Sequence, residues 1–333
     1  MNTLLDLNSV ADYRRFLKIK SLPQRTFVGR MASYPDEYAS LVTGKPVRAG
    51  KLAAYQPSDY LFDYQRDISA TAIRKRKYAV FAECGYGKTA VDFEFVRHVL
   101  GVLPKSKRVL LVCPNMVTHQ MAEEAERFYG SQLECEIVKA ADLPTWAGRR
   151  TGCRFGITNY EAITDRVTQG NIGGMVLSES SMLKSHYGKW ATRLIEIGKG
   201  LDWKLCETGT PAPNDRIEYA NHAVFLDQFP TVNAFLAKYF VNKGMTGEHW
   251  ELKAHALHAF YRDLSHWCIF LSNPATYGWK DNAGGMPPIN VHYHNVELTE
   301  EQTTLAQNAG GSLFVGASGG FVSRQRMAQI SKG

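Results

Sequence analysis

The chain has 333 residues, of which 44 % are hydrophobic, 21 % charged and 11 % aromatic, with a formal charge of +7. That mix suits about two globular domains and is too apolar for a mainly disordered chain. The 28 Gly and 13 Pro fall in scattered turns, which excludes collagen-like and low-complexity classes, and no apolar run approaches the roughly 18 residues of a membrane helix.

The charge and a pI near 9.0 favour a polyanionic partner, a statement about association rather than fold. The opening MNTLLDLNSVADYRRF carries Asp6 and Asp12 and lacks a basic-then-apolar order, so it does not read as a signal peptide. Cys84, Cys113, Cys135, Cys153, Cys206 and Cys268 form no CxxC pair, a sparse usage that fits a reducing cytosol. His255 with His258 and His292 with His294 are spaced as pairs, but no cysteine or acidic cluster completes a zinc set. The expectation is a soluble cytoplasmic protein.

Residues 1–50 show no regular alternation and are expected to form an N-terminal extension. The stretch Tyr64–Ile73 is helix-like and runs into Arg74-Lys75-Arg76-Lys77. Cations suit a helix C-terminus, so a solvated helix end is the first reading of that run; a phosphate-contacting patch and a nuclear import signal are the others. From about residue 78 the chain alternates strands and helices. Strands are expected at 78–83, 108–113, 134–138, 154–158, 175–177 and 204–206, and helices at 89–100, 118–128, 187–197 and near 216–225. Such alternation implies α/β architecture, a parallel sheet covered by helices on both faces, with ligands at the carboxyl ends of the strands. This domain is expected to span residues 51–226. Residues 227–333 are expected to form a helical extension and linker, with an aromatic stripe (Trp250, Phe260, Tyr261, Trp267, Phe270) that reads as core packing rather than a base-stacking platform. Asn282–Pro288 is a turn or linker, and Ala309–Gly320 a Gly/Ser-rich flexible stretch.

AECGYGKT (82–89) lies directly after an expected strand and before an expected helix, the context that gives a Gly-Lys-Thr match its weight. Gly85 and Gly87 allow backbone angles that side chains forbid, so N–H groups around Cys84–Thr89 can turn inward on phosphate oxygens. The helix N-terminus adds its dipole and free amides. Lys88 would reach the β- and γ-phosphates, and the Thr89 hydroxyl would ligate Mg²⁺. The loop opens with Ala82 where Gly is usual. On these residues alone the chain binds a nucleotide, and the reaction stays open.

FDYQRD (62–67), AECGYGKT (82–89), VLLVCPNMVTHQMAEEAERF (109–128), ITNYE (157–161), MVLSESSMLKS (175–185) and TGTPAPND (208–215) follow in an order that resembles the first-lobe motifs of superfamily 2 helicases. The nearest likeness is to phage-encoded DEAD-like helicases related to Snf-type double-stranded DNA translocases, over roughly residues 55–270. The resemblance implies a RecA-like lobe that uses ATP and Mg²⁺ and grips duplex DNA independently of sequence, in the cytoplasm of a bacterial host. It implies that Gln65 reads the adenine edge, for which a side-chain amide has a matching donor and acceptor. It further implies that Pro114, Asn115 and Asn159 contact one strand's backbone, and that Thr208 and Thr210 couple the γ-phosphate site to nucleic acid. Pro211 would fix that turn, with Asn214 and Asp215 capping the next helix.

In the second nucleotide motif an Asp holds Mg²⁺ and the next Glu polarises the attacking water. Glu179 keeps the base position, but Ser178 stands where the Asp is expected, and a hydroxyl holds a hard cation weakly. Slowed or absent hydrolysis follows. Complete motors of this kind also have a second lobe with arginine fingers; the chain ends at RQRMAQISKG, which resembles the segment before that lobe, and nothing around Arg324 and Arg326 reads as a finger. Two functions fit: the ATP-binding first lobe of a DNA helicase or translocase, with another chain possible as the source of the second lobe, or a non-catalytic nucleotide- or DNA-binding regulatory module. A small-molecule P-loop kinase leaves Gln65 and TGTP unexplained.

Overall fold

The computed structural model describes residues 2–6, 8–22, 25–34, 42–43, 55–184, 188–244, 249–280, 290–292 and 299–300. Asn282–Pro288, Ala309–Gly320, His294, Arg324 and Arg326 lie outside them. The chain divides into Met1–Gly285 and Met286–Gly333, and the elements below belong to the first unit.

At the N-terminus β1 (Asn2–Leu4), α1 (Val10–Ser21), β2 (Thr26–Val28) and β3 (Met31–Ser33) make a three-stranded antiparallel sheet with one helix. Ser9 caps α1 by accepting from the Asp12 amide at 3.3 Å. Leu5, Ile19, Leu22 and Ala32 give this part a small core of its own.

The α/β alternation then begins. In order come α2 (Asp63–Lys75), β4 (Lys77–Ala82), α3 (Lys88–Val102), β5 (Arg108–Cys113), α4 (Thr118–Tyr129), β6 (Cys135–Ile137), α5 (Leu143–Gly148), β7 (Phe155–Asn159), β8 (Ile172–Leu177), α6 (Lys189–Gly198) and β9 (Trp203–Thr208). After β9 come α7 (Tyr219–Phe225), α8 (Val232–Tyr239), the hairpin β10 (Phe240–Asn242) and β11 (Trp250–Leu252), α9 (Leu257–Leu264) and β12 (Cys268–Leu271). Seven strands form one sheet in the order β12-β4-β9-β8-β5-β7-β6, and every neighbouring pair is parallel. Leu110 and Val112 enter the core on one face, Val109 and Leu111 the core on the other. Burial on both faces is why RVLLVC has no polar alternation.

Three expectations change. The helix near 216–225 opens as a 3-10 turn, Arg216–Glu218, before α7. The region expected to be a helical extension from 227 contains a hairpin and, in β12, a strand that pairs Cys268–Leu271 with Ala79–Ala82 of β4. A boundary at residue 226 therefore cuts off an edge strand of the main sheet. CIFL is too short to display a period, and the aromatic helices around it hide it. The basic run is more than a solvated helix end. Lys75 donates to the His266 carbonyl at 2.9 Å, Arg76 lies 5.2 Å from the Trp203 ring, and Lys77 pairs with Asp227 at 2.8 Å. The run also precedes β4, so it stands at the amino edge of the sheet, opposite the strand ends that carry the motifs.

The aromatic stripe packs as core in its centre. Phe260 and Trp267 are buried, and Tyr219, Phe235, Tyr239 and Phe240 surround Phe260 at 5.2–6.0 Å between centroids. Among the described residues no helix is long and apolar enough to cross a membrane.

Candidate functional site

Parallel pairing brings the motifs together. Phe81 is level with Thr208, Leu177 with Cys206, Val112 with Leu177, and Cys113 with Asn159. The turns after β4, β5, β7, β8 and β9 thus all open at one edge, the edge where ligands bind in such sheets.

The turn from β4 to α3 is built by Gly85 at φ +87° and Gly87 at φ +65°, left-handed angles that suit glycine. Lys88 and Thr89 open α3, and the Lys88 Nζ lies 3.4 Å from the Glu83 carbonyl. Tyr86 turns inward: its hydroxyl donates to the Ser272 carbonyl at 2.7 Å, tying the loop to the end of β12. Cys84 is exposed. Gln65 is engaged on both ends of its amide. Its oxygen accepts from the Phe62 amide at 3.0 Å, and its nitrogen donates to the Tyr86 and Gly87 carbonyls at 3.1 and 3.4 Å. In this arrangement Gln65 braces the glycine turn, and its oxygen keeps a second acceptor lone pair.

Ser178, 3 % exposed, donates to the Glu207 Oε1 at 2.6 Å. Glu179 follows at φ +52°, a left-handed conformation that costs a side chain roughly 1–2 kcal/mol and that the surroundings must hold in place. Its carboxylate accepts from the Thr208 hydroxyl at 3.0 Å. The Thr208 oxygen in turn accepts from the Thr210 amide at 3.1 Å. The base position and the Thr-Gly-Thr-Pro turn are therefore one hydrogen-bonded unit.

The expected caps are rearranged. Asp215 precedes the 3-10 turn but makes no side-chain cap bond. Instead the Glu218 carboxylate accepts from the Asn214 side-chain and backbone nitrogens at 2.8 and 3.3 Å. Asn159 and Asn115 do come together: the Asn159 Nδ2 donates to the Asn115 Oδ1 at 2.8 Å, beside Pro114.

An open cavity of about 670 Å³ joins Gln65, Gly85, Gly87, Lys88, Thr89, Ser178 and Glu179 to a second wall made by Tyr60, Phe62, Gln120, Glu124, Arg127 and Phe128. Tyr60 stacks on Phe128 with centroids 5.0 Å apart. These half-exposed aromatics went unread in the sequence. Their signal is weak, since isolated aromatics beside a loop are common.

Two buried acids were also unread. Glu207, from β9, lines the same cavity, and its Oε2 has no hydrogen-bond partner. Asp92, one turn beyond Thr89 on α3, is fully buried, and its carboxyl interacts with that of Glu207. Burial, and then the neighbouring Glu207 charge, push the Asp92 carboxyl well above its ordinary range. Burial likewise raises Glu207, against the opposing pull of the Ser178 hydroxyl and Lys88.

Among the described residues no group of three or more His, Cys, Asp or Glu could hold a metal by itself. The cavity instead offers hydroxyl and carboxylate oxygens from Thr89, Ser178, Glu179 and Glu207, one of them an orphaned buried carboxylate oxygen. That donor set fits Mg²⁺ arriving with a phosphate ligand, since Mg²⁺ keeps waters and binds through one or two carboxylates plus substrate phosphates.

An all-parallel seven-stranded sheet flanked by helices, with a glycine turn entering α3 at its carboxyl edge, is an α/β, RecA-like architecture. Among solved structures the chain is similar to the Sulfolobus solfataricus SWI2/SNF2 ATPase core in complex with dsDNA, with a TM-score of 0.54 and 16 % identity over 84 % of this chain and 60 % of that one. It is also similar to the Sulfolobus solfataricus SWI2/SNF2 ATPase core domain, with a TM-score of 0.53 and 17 % identity over 84 % of this chain and 58 % of that one. At these identities the likeness is one of fold. No family model and no curated protein matches the chain.

Proposed function

We propose that this chain is the ATP-binding first lobe of an ATP-dependent DNA helicase or translocase. One observation carries the reading: a single cavity unites the phosphate-loop residues Lys88 and Thr89 with Glu179, and Glu179 is hydrogen-bonded to Thr208. Lys88 and the amides of the glycine turn would bind the β- and γ-phosphates. The Thr89 hydroxyl, and weakly the Ser178 hydroxyl, would hold Mg²⁺, which neutralises charge on the phosphates when bound. Glu179 is the group to orient and polarise the attacking water. Thr208 ties Glu179 to the Thr-Gly-Thr-Pro turn, giving nucleotide state a direct route to the DNA face. Tyr60, Phe62 and Phe128 offer the apolar wall for the base, with Gln65 bracing the loop.

Asn115 and Asn159 would position one strand of duplex DNA through its backbone, a sequence-independent contact. A second lobe, from elsewhere in the protein or from another chain, would complete the ATP cleft. The likeness to phage-encoded helicases supports action in the cytoplasm of a bacterial host. Ser178 favours a second reading: an acid is missing from its expected place, and a lobe that binds nucleotide without turnover would serve as a regulatory module.

Titration with a fluorescent ATP analogue tests the shared core of both readings. Wild type is expected to bind, and Lys88→Ala to lose about tenfold or more, as the loss of a charge-assisted phosphate contact of roughly 1.5–3 kcal/mol implies. ATP turnover, measured with and without duplex DNA, then separates motor from module. Failure to bind either ATP or DNA would sink the proposal.

A further inference from the structure

We propose that Glu207 is the carboxylate that holds the nucleotide-borne Mg²⁺, standing in from the neighbouring strand for the acid that residue 178 lacks. The inference rests on the nucleotide reading above and deepens it. Its basis is register. Leu177 is paired with Cys206 in the parallel β8–β9 ladder, so Ser178 is level with Glu207, and side chains at matching positions of parallel strands share a face. Their contact is direct, at 2.6 Å between the Ser178 Oγ and Glu207 Oε1. A longer side chain on the adjacent strand thus delivers a carboxylate to the place an acid at 178 would serve, while the short serine leaves room for it.

The second, independent observation is the state of the other oxygen. Glu207 is 3 % exposed, its Oε2 has no donor, and it lines the cavity that also holds Lys88 and Thr89. A buried carboxylate normally finds hydrogen bonds or a cation. Beside it Asp92 is likewise fully buried, and the two carboxyl groups interact directly. Glu207, rather than Asp92, lines the phosphate cavity, with Lys88 as the cation acting on it, and its carboxylate is the oxygen donor a phosphate-borne divalent ion would take. An Asp at 178 beside Glu207 would instead crowd a third acid into the same space. Serine and glutamate therefore form one matched set across two strands.

The test measures metal dependence of binding rather than turnover, on the whole 333-residue chain. A fluorescent ATP analogue is titrated in Mg²⁺ and again in EDTA, and Mn²⁺ spectra are recorded by electron paramagnetic resonance with ATP present. Wild type should bind more tightly with Mg²⁺. Glu207→Gln should lose about tenfold or more of its affinity in Mg²⁺, the scale of a disturbed metal site, and hold or gain affinity in EDTA. The double variant Ser178→Asp with Glu207→Gln should regain the metal dependence. Should Glu207→Gln fail to fold, Glu207→Asp keeps the charge but withdraws it by one methylene, and a reduced metal dependence is expected. Unchanged metal dependence in either variant, or an equal loss with and without metal, overturns the inference and leaves nucleotide binding standing. Wild type that binds the analogue without regard to metal does the same. Wild type that binds no analogue under either condition overturns both.

Discussion

His222 lies wholly inside the protein, on α7, and both ring nitrogens are engaged. Nδ1 is 3.4 Å from the Glu218 carbonyl, which can only accept, so the proton sits on Nδ1 and Ser180 donates to Nε2 at 3.0 Å. Burial pushes the imidazole down from 6.5 to about 4. The folded state therefore holds the neutral ring while the unfolded chain takes up a proton below pH 6.5. Stability from this residue is complete above pH 6.5 and is lost as pH falls toward 4. Between pH 7 and pH 5 the loss should be about 2 kcal/mol. Urea unfolding of wild type and His222→Gln at the two pH values checks this: the variant should be weaker at pH 7 but show a shallower fall. Because Ser180 belongs to the SESS turn, the same histidine packs the strand end that presents Ser178 and Glu179.

At the scale of elements, the glycine turn and α2 are one device. Gly87 stands at φ +65°, and a Cβ on it would meet the Gln65 Nε2 at 2.4 Å. Gly87→Ala should thus cost about 1–2 kcal/mol of stability from the left-handed conformation alone, with a further loss as Gln65 is displaced from the Tyr86 and Gly87 carbonyls. Nucleotide affinity should drop with it. The Gln65→Ala change combined with Gly87→Ala should cost less than the sum of the two, since the clash disappears; additive losses would show that the two do not touch in solution. The turn itself was legible because it is local: a strand, two glycines, Lys-Thr and a helix are contiguous. Glu207 was not, although it directly precedes Thr-Gly-Thr-Pro. Its meaning depends on β8 and β9 being neighbours in a given register, and spacing along the chain does not carry register. The edge strand β12 was lost for a similar reason, since four residues pairing with a strand far earlier in the chain leave no periodic trace. Gln65 was found by its place before the loop, yet its partners are backbone carbonyls that no motif specifies.

Over the whole molecule, the placement of charge separates two explanations of the +7 excess. The densest basic run sits at the amino edge of the sheet, where Lys75 and Lys77 are tied to His266 and Asp227. Asn115 and Asn159, joined side chain to side chain, stand at the carboxyl edge. If DNA is gripped at the carboxyl edge, its affinity should fall steeply with salt, because phosphate contacts release counterions. A grip on about three phosphates implies roughly a 40-fold loss between about 50 and 200 mM salt. The exposed Arg74 should contribute little, so Arg74→Ala should leave both affinity and salt slope within error. Asn115→Ala should weaken binding by about fivefold, the worth of one neutral hydrogen bond of roughly 1 kcal/mol, without changing the slope, since no charge is removed. Filter binding to duplex DNA across that salt range measures all three. The reverse pattern, with Arg74→Ala flattening the slope and Asn115→Ala silent, would move the DNA to the opposite edge of the sheet and detach it from the Thr208–Glu179 link.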